Sequence, residues 1–187
     1  MEIRSFTYLI FLAMVYSVKM KLDLNKNALS LQLEQWQFDD KDIALFLNEH
    51  LADMKAISPP ESKHALDLDA LKQVDISFWT VRSNGSQFKN QVLACCALKE
   101  LSASQGEIKS MRTGAEARGL GLGSMMLGHL IDEARCRKFT SLSLETGSMD
   151  FFKPAQSLYL KHGFEFCPPF ADYQADPNSV FMSLKLV

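Results

Sequence analysis

The 187-residue chain has no CxxC pair, no internal repeat, no low-complexity tract and no linker-like stretch within residues 20–187. It also lacks an unbroken apolar run of the roughly 20 residues that a membrane-crossing helix needs. Cysteine is scarce, with Cys95, Cys96, Cys136 and Cys167 only. Their spacing suits neither a zinc site nor a disulfide framework, so no metal is expected and a reducing, cytoplasmic setting is. Neighbours on a strand point to opposite faces, so Cys95 and Cys96 do so, and the cysteines are expected as buried small hydrophobes. A basic excess is missing too: 20 Lys+Arg stand against 22 Asp+Glu, a formal net charge of −2, which disfavours nucleic acid as a partner. Hydrophobic residues make up 47%, enough for a core and too many for disorder.

Residues Phe6 to Val18 form an apolar run after Arg4, shorter than a span and without a small-x-small cleavage site behind it. Three readings stay open: a mis-set start with translation beginning at Met20, a signal or anchor, or an extra element packed on the domain. Residues 1–19 are therefore set apart as an N-terminal extension, and 20–187 read as a single domain with no membrane association expected of it.

Alternation of apolar and polar residues over Leu29 to Gln37 reads as a first strand. Asp39 is a plausible N-cap for a helix carrying Ile43, Phe46, Leu47, His50, Leu51 and Met54 at three-to-four spacing, stopped at Ser58-Pro59-Pro60. Leu66 to Val74 is a second short helix candidate. Strands are expected over Ile76 to Arg82, Gln91 to Leu98 and Gly106 to Thr113. Leu122 to Arg137 is a strongly amphipathic helix, with Leu122, Met126, Leu127, Leu130, Ile131 and Ala134 on one side. A strand over Thr140 to Glu145 follows, then a helix from Pro154 to His162. Strands at Phe164 to Phe166 and Val180 to Leu186 complete an α/β (α+β) pattern, a mixed sheet with helices on its faces.

Glycine, sparse elsewhere, concentrates in Arg118-Gly119-Leu120-Gly121-Leu122-Gly123-Ser124, between a strand and the long helix. The first N–H groups of a helix have no intrahelical partner, and the macrodipole favours negative charge there. A phosphate cradle is thus expected. A P-loop would need a lysine directly after the last glycine, and Ser124-Met125 stands there instead. A dinucleotide fingerprint would need a glycine at Ser124, and strands in antiparallel-like succession before the loop are the wrong context for it.

The loop resembles the Arg/Gln-x-x-Gly-x-Gly/Ala motif of the GCN5-related N-acetyltransferase (GNAT) superfamily. A second segment, Ala155-Gln156-Ser157-Leu158-Tyr159-Leu160-Lys161-His162-Gly163-Phe164, is similar to that family's Ala-x-x-x-Tyr-x-x-x-Gly-Phe. The segments Gly106 to Thr113, Leu144 to Met149 and Phe170 to Phe181 further resemble the YsnE-type branch. The resemblance covers roughly Leu29 to Val187. It implies a mostly antiparallel twisted sheet of about six to seven strands, with helices on both faces. It also implies acetyl-CoA as co-substrate and transfer of the acetyl group to a primary amine, most simply of a small molecule. A non-catalytic acyl-CoA-binding or regulatory module is the alternative, and a homodimer is left open.

By that resemblance, Arg118, Gly119, Leu120, Gly121, Leu122, Gly123 and Ser124 clamp the pyrophosphate. The strand ending in Met111, Arg112 and Thr113 receives the pantetheine arm where it splays from its neighbour. A backbone N–H near Met111 is the implied donor to the thioester oxygen. A free alkylamine has a pKa of about 10, so a base must act on it. Glu107 falls where some family members carry one, and Glu145 or an ordered water is the rival. Tyr159 is the implied general acid for the leaving thiolate. Acceptor contacts are expected from Glu145, from His64 in the loop between the first helices, and from Tyr173, beside Asp172 and Asp176. One departure is Phe152, seven residues before Tyr159, where family members often carry an asparagine.

Overall fold

The computed structural model describes residues 18–24, 27–35, 40–57, 68–83 and 90–186. Among these, eight strands form one sheet: β1 Val18–Leu24, β2 Asn27–Gln35, β3 Ile76–Ser83, β4 Val92–Ser102, β5 Gln105–Thr113, β6 Ser141–Gly147, β7 Glu165–Cys167 and β8 Ser179–Lys185. The spatial order is β1-β2-β3-β4-β5-β6-β8-β7. Every pairing is antiparallel except β5 with β6, which is parallel. Among the described residues the three α-helices are α1 Lys41–Ile57, α2 Leu122–Cys136 and α3 Lys153–Lys161. The sheet is thus mixed and mostly antiparallel, as expected, with one strand more than the pattern suggests. That strand is β1, whose residues straddle the 19/20 boundary, while the rest of the Phe6 to Val18 run lies outside the described residues. None of the described helices is long and apolar enough to cross a membrane.

The sheet separates two cores. On one face α2 lays down Leu122, Met126, Leu127, Leu130, Ile131 and Ala134, the same six residues its periodicity picks out, against Ala94, Cys96, Leu98, Ile108, Leu142 and Leu144. Tyr159 of α3 joins this face. On the other face α1 packs Ile43, Phe46 and Leu47 against Phe78, Cys95 and Ala97. Cys95 and Cys96 are both fully buried, one in each core. With both faces covered, β4 begins as an unbroken apolar run and not as an alternation.

Two local readings change. The cap of α1 is Asp40, whose Oδ1 accepts from the N–H groups of Asp42 (2.9 Å) and Ile43 (3.3 Å), while Asp39 lies outside the described residues. Asp40 and Asp42 also pair with the buried Arg82 guanidinium, which fastens the start of α1 to β3. The second helix candidate is a single 3-10 turn over Ala70–Lys72, held by Leu71 in the core.

Candidate active site

β5 holds two neighbours for only half its length. Its pairing with β6 runs from Gln105↔Ser141 to Ile108↔Leu144 and ends there. Beyond that point β5 stays with β4 through Thr113, and β6 stays with β8 through Gly147. The two strands part like a fork, leaving the Lys109–Thr113 edge of β5 without a strand partner on that side.

A bulge sits at the fork. Cys95 opposes Arg112 and Ala97 opposes Lys109, so Ser110 and Met111 of β5 together face Cys96. Ser110, one of the two bulged residues, takes a left-handed conformation (φ 48°). One extra residue exchanges the faces of everything after it. Lys109 lies on the α1 face, as alternation from Glu107 demands. Met111 is thereby turned to the α2 face, where it packs on the core, and Arg112 to the α1 face. There the Arg112 guanidinium lies over the Phe46 ring, donates to the Phe46 carbonyl (3.3 Å) and pairs with Asp53 (3.1 Å).

A cavity of about 650 Å³ opens at this fork. Its walls include Met111, Arg112, Thr113, Arg118, Gly119, Gly121, Leu122, Gly123, Ser124, Glu145 and Tyr159, which brings together eleven of the residues singled out from the sequence. At one end stands the start of α2. Gly121 is its N-cap, and no side chain caps the helix, so the N–H groups of its first turn are left uncovered. Gly119 and Gly121 both have φ of 79°, and a Cβ on either would meet nothing within 4 Å. The space a clamp needs is present. The Ser124 hydroxyl is hydrogen-bonded to His162 Nε2 (2.7 Å), which ties α2 to the end of α3.

Deeper in the cavity, the Tyr159 ring is buried against Phe164 and its hydroxyl meets the Met111 sulfur at 3.8 Å. Burial, with Cys96 and Glu145 nearby, raises the Tyr159 pKa, so the hydroxyl keeps its proton at every physiological pH. Glu145 Oε1 accepts from the Ser179 hydroxyl (2.7 Å). The 3-10 turn Asp150–Phe152 brings the Phe152 ring over Gly147, where a Cβ would lie 2.2 Å from it. Gly147→Ala is therefore expected to destabilise the protein by about 1–3 kcal/mol. Equilibrium urea unfolding would measure this, and Phe152→Ala in the same chain should recover part of the loss.

Three expected site residues lie off the cavity wall. Leu120 packs on the core and does not line the cavity. Glu107 is 3% exposed and also lies off the cavity wall, as does Tyr173, its partner. His64 lies outside the described residues. Conversely, His50, Asp53 and Met54 line the cavity with Lys109, Phe151, Phe152 and Asn178. The His50 pKa is pushed down to about 4, by burial first and then by the Arg112 guanidinium, with Asp53 opposing, so the imidazole is neutral. The three-to-four stripe of α1 did contain a signal for His50 and Met54: it runs on past the last core residue, Leu47, straight to the cavity.

The profile of the Acetyltransferase (GNAT) family matches residues 33–164. The chain is 48% identical over 146 residues to the uncharacterized N-acetyltransferase YsnE of Bacillus subtilis, covering 78% of this chain and 93% of that one. Over 141 residues it is 37% identical to the IAA acetyltransferase of Azospirillum brasilense, covering 75% and 86%. Among solved structures, an acetyltransferase of the GNAT family from Staphylococcus aureus shares the fold with a TM-score of 0.66 at 17% identity, covering 84% of this chain and 99% of that one.

Proposed function

The chain belongs to the GNAT family of acetyltransferases, and from that premise we propose that it moves the acetyl group of acetyl-CoA directly to a primary amine of a small molecule. The observation that carries this reading is the shared cavity. An uncapped helix start, an unpaired strand edge and a buried, protonated phenol all open into it.

Each part fits one chemical need of the co-substrate. The first-turn N–H groups of α2, with Arg118 beside them, suit a pyrophosphate. The free edge of β5 from Lys109 to Thr113 offers backbone donors and acceptors to the amides of a pantetheine arm, which would lie there as an added strand. A backbone N–H at Met111 is suited to the thioester oxygen, which gains negative charge as the amine attacks. Tyr159, beside Met111, gives its proton to the departing sulfur. Of the two candidate carboxylates, Glu145 faces the cavity and Glu107 does not. We assign removal of the amine proton to Glu145, directly or through one water.

Incubation of the purified protein with acetyl-CoA and a panel of primary amines, followed by assay of free thiol, tests the proposal. Thiol release that depends on one class of amine is the expected result. Thermal stabilisation by CoA without thiol release from any amine would point instead to an acyl-CoA-binding module.

A further inference from the structure

On the α1 face of the sheet, at the fork, three polar side chains from distant parts of the chain meet. The Tyr173 hydroxyl donates to Glu107 Oε1 at 2.6 Å and accepts from Lys109 Nζ at 2.6 Å. Lys109 Nζ is also 3.2 Å from Glu107 Oε1 and sits over the Tyr173 ring, 5.3 Å from its centre. The Glu107 and Lys109 side chains are 3% and 10% exposed. Such a cluster is stable only with its hydrogen bonds made, and here each member satisfies the other two.

Tyr173 belongs to the connection between β7 and β8, residues 168–178. That segment has no helix or strand and is exposed along most of its length. Phe170 and Tyr173 are its inward anchors, packed edge-on to each other and against Phe181 of β8. The far end of the same segment, Asn178, is cavity wall. Lys109 is cavity wall as well, at the first position past the last β5–β6 pair, with Glu145 at the corresponding first position on β6. The cluster therefore joins the connection to the fork next to the carboxylate assigned as base. Glu107 is buried and off the cavity wall, and burial together with Glu107 raises the Tyr173 pKa, so the Tyr173 hydroxyl keeps its proton there.

We propose that Glu107, Lys109 and Tyr173 act as a positioning unit, pinning the 168–178 connection as the acceptor-side wall of the cavity and so setting acceptor affinity without taking part in proton transfer. The proposal rests on the acetyltransferase reading above, and its test has one arm that does not.

Tyr173→Phe removes the shared hydroxyl and keeps the ring. Amide hydrogen exchange across 168–178 should then speed up by about 10-fold or more, with α2 and the affinity for CoA unchanged. With whichever primary amine of the panel turns over fastest, the acceptor KM should rise by roughly 10-fold at a kcat within about twofold of the parent. Glu107→Gln keeps an oxygen for Tyr173 and should hold kcat within about fivefold, whereas loss of a general base costs on the order of 10² or more. Unchanged exchange in Tyr173→Phe would overturn the proposal, as would a kcat collapse in Glu107→Gln. If no amine releases thiol, the acetyltransferase reading fails while the exchange measurement still decides the anchoring role.

Discussion

Tyr159→Phe should lower kcat by about two orders of magnitude or more, the usual weight of a positioned general acid, while leaving CoA binding and stability nearly untouched. The substitution is unusually clean because of what the hydroxyl does in the fold. Its polar contact is the Met111 sulfur at 3.8 Å, a weak acceptor at long range, so its loss costs under about 1 kcal/mol. The ring, which is 6% exposed and packs against Phe164 at 5.8 Å, is retained. A residue that served only as core would therefore tolerate phenylalanine without a change in rate. The raised pKa gives the expectation a sign as well. A phenol held protonated by burial can donate to a leaving thiolate but cannot act as a base near neutrality, so Tyr159 contributes no acid limb to the pH–rate profile. Stopped-time thiol assays at saturating acetyl-CoA, with CoA affinity measured by calorimetry, check both halves. An unchanged kcat in Tyr159→Phe would return the residue to the core and leave the thiolate to solvent.

Much of this site is legible in the chain because glycine and helical period are local signals. The buried face of α2 reads directly from its spacing, and the clustering of Gly119, Gly121 and Gly123 marks its start. What is not legible depends on partners far away in the chain. Nothing near Glu107 in sequence shows that Tyr173, 66 residues on, will cover it, so a carboxylate on a strand before the loop reads equally well as a base. The bulge at Ser110 is similarly silent. Strict alternation would set Met111 on the α1 face, away from Tyr159, and only the extra residue in β5 turns it to meet that hydroxyl. His50 illustrates the opposite case, a legible stripe read too narrowly. Its position continues the core face of α1, and the core simply ends about two turns before the stripe does. Phe152, set apart in sequence only by the absence of an asparagine, is explained by Gly147 beneath its ring.

Gly121→Glu is expected to abolish measurable CoA binding, raising Kd by more than about 100-fold, and to do so without unfolding the protein. Gly121 sits at φ 79° and ψ 1°, a left-handed conformation that costs any side-chain-bearing residue about 1–2 kcal/mol. Space is not the difficulty, because a Cβ there meets nothing within 4 Å. The side chain instead points into the region that the ligand needs, and its charge matters more than its bulk. A carboxylate at the N-cap of α2 can accept from the uncovered first-turn N–H groups and is favoured by the macrodipole, which offsets part of the backbone strain. The variant thus carries its own anion in the place proposed for the pyrophosphate, and repels a second one. Gly121→Ala separates the two effects, since it bears the strain without the charge. It should lose at most about 1–2 kcal/mol of stability and keep CoA affinity within roughly 10-fold. Thermal melts with and without CoA read out the difference: a CoA-induced rise in Tm for the parent and for Gly121→Ala, and none for Gly121→Glu. A folded Gly121→Glu that still gains stability from CoA would move the pyrophosphate away from the start of α2, and with it the direction in which the arm runs along β5.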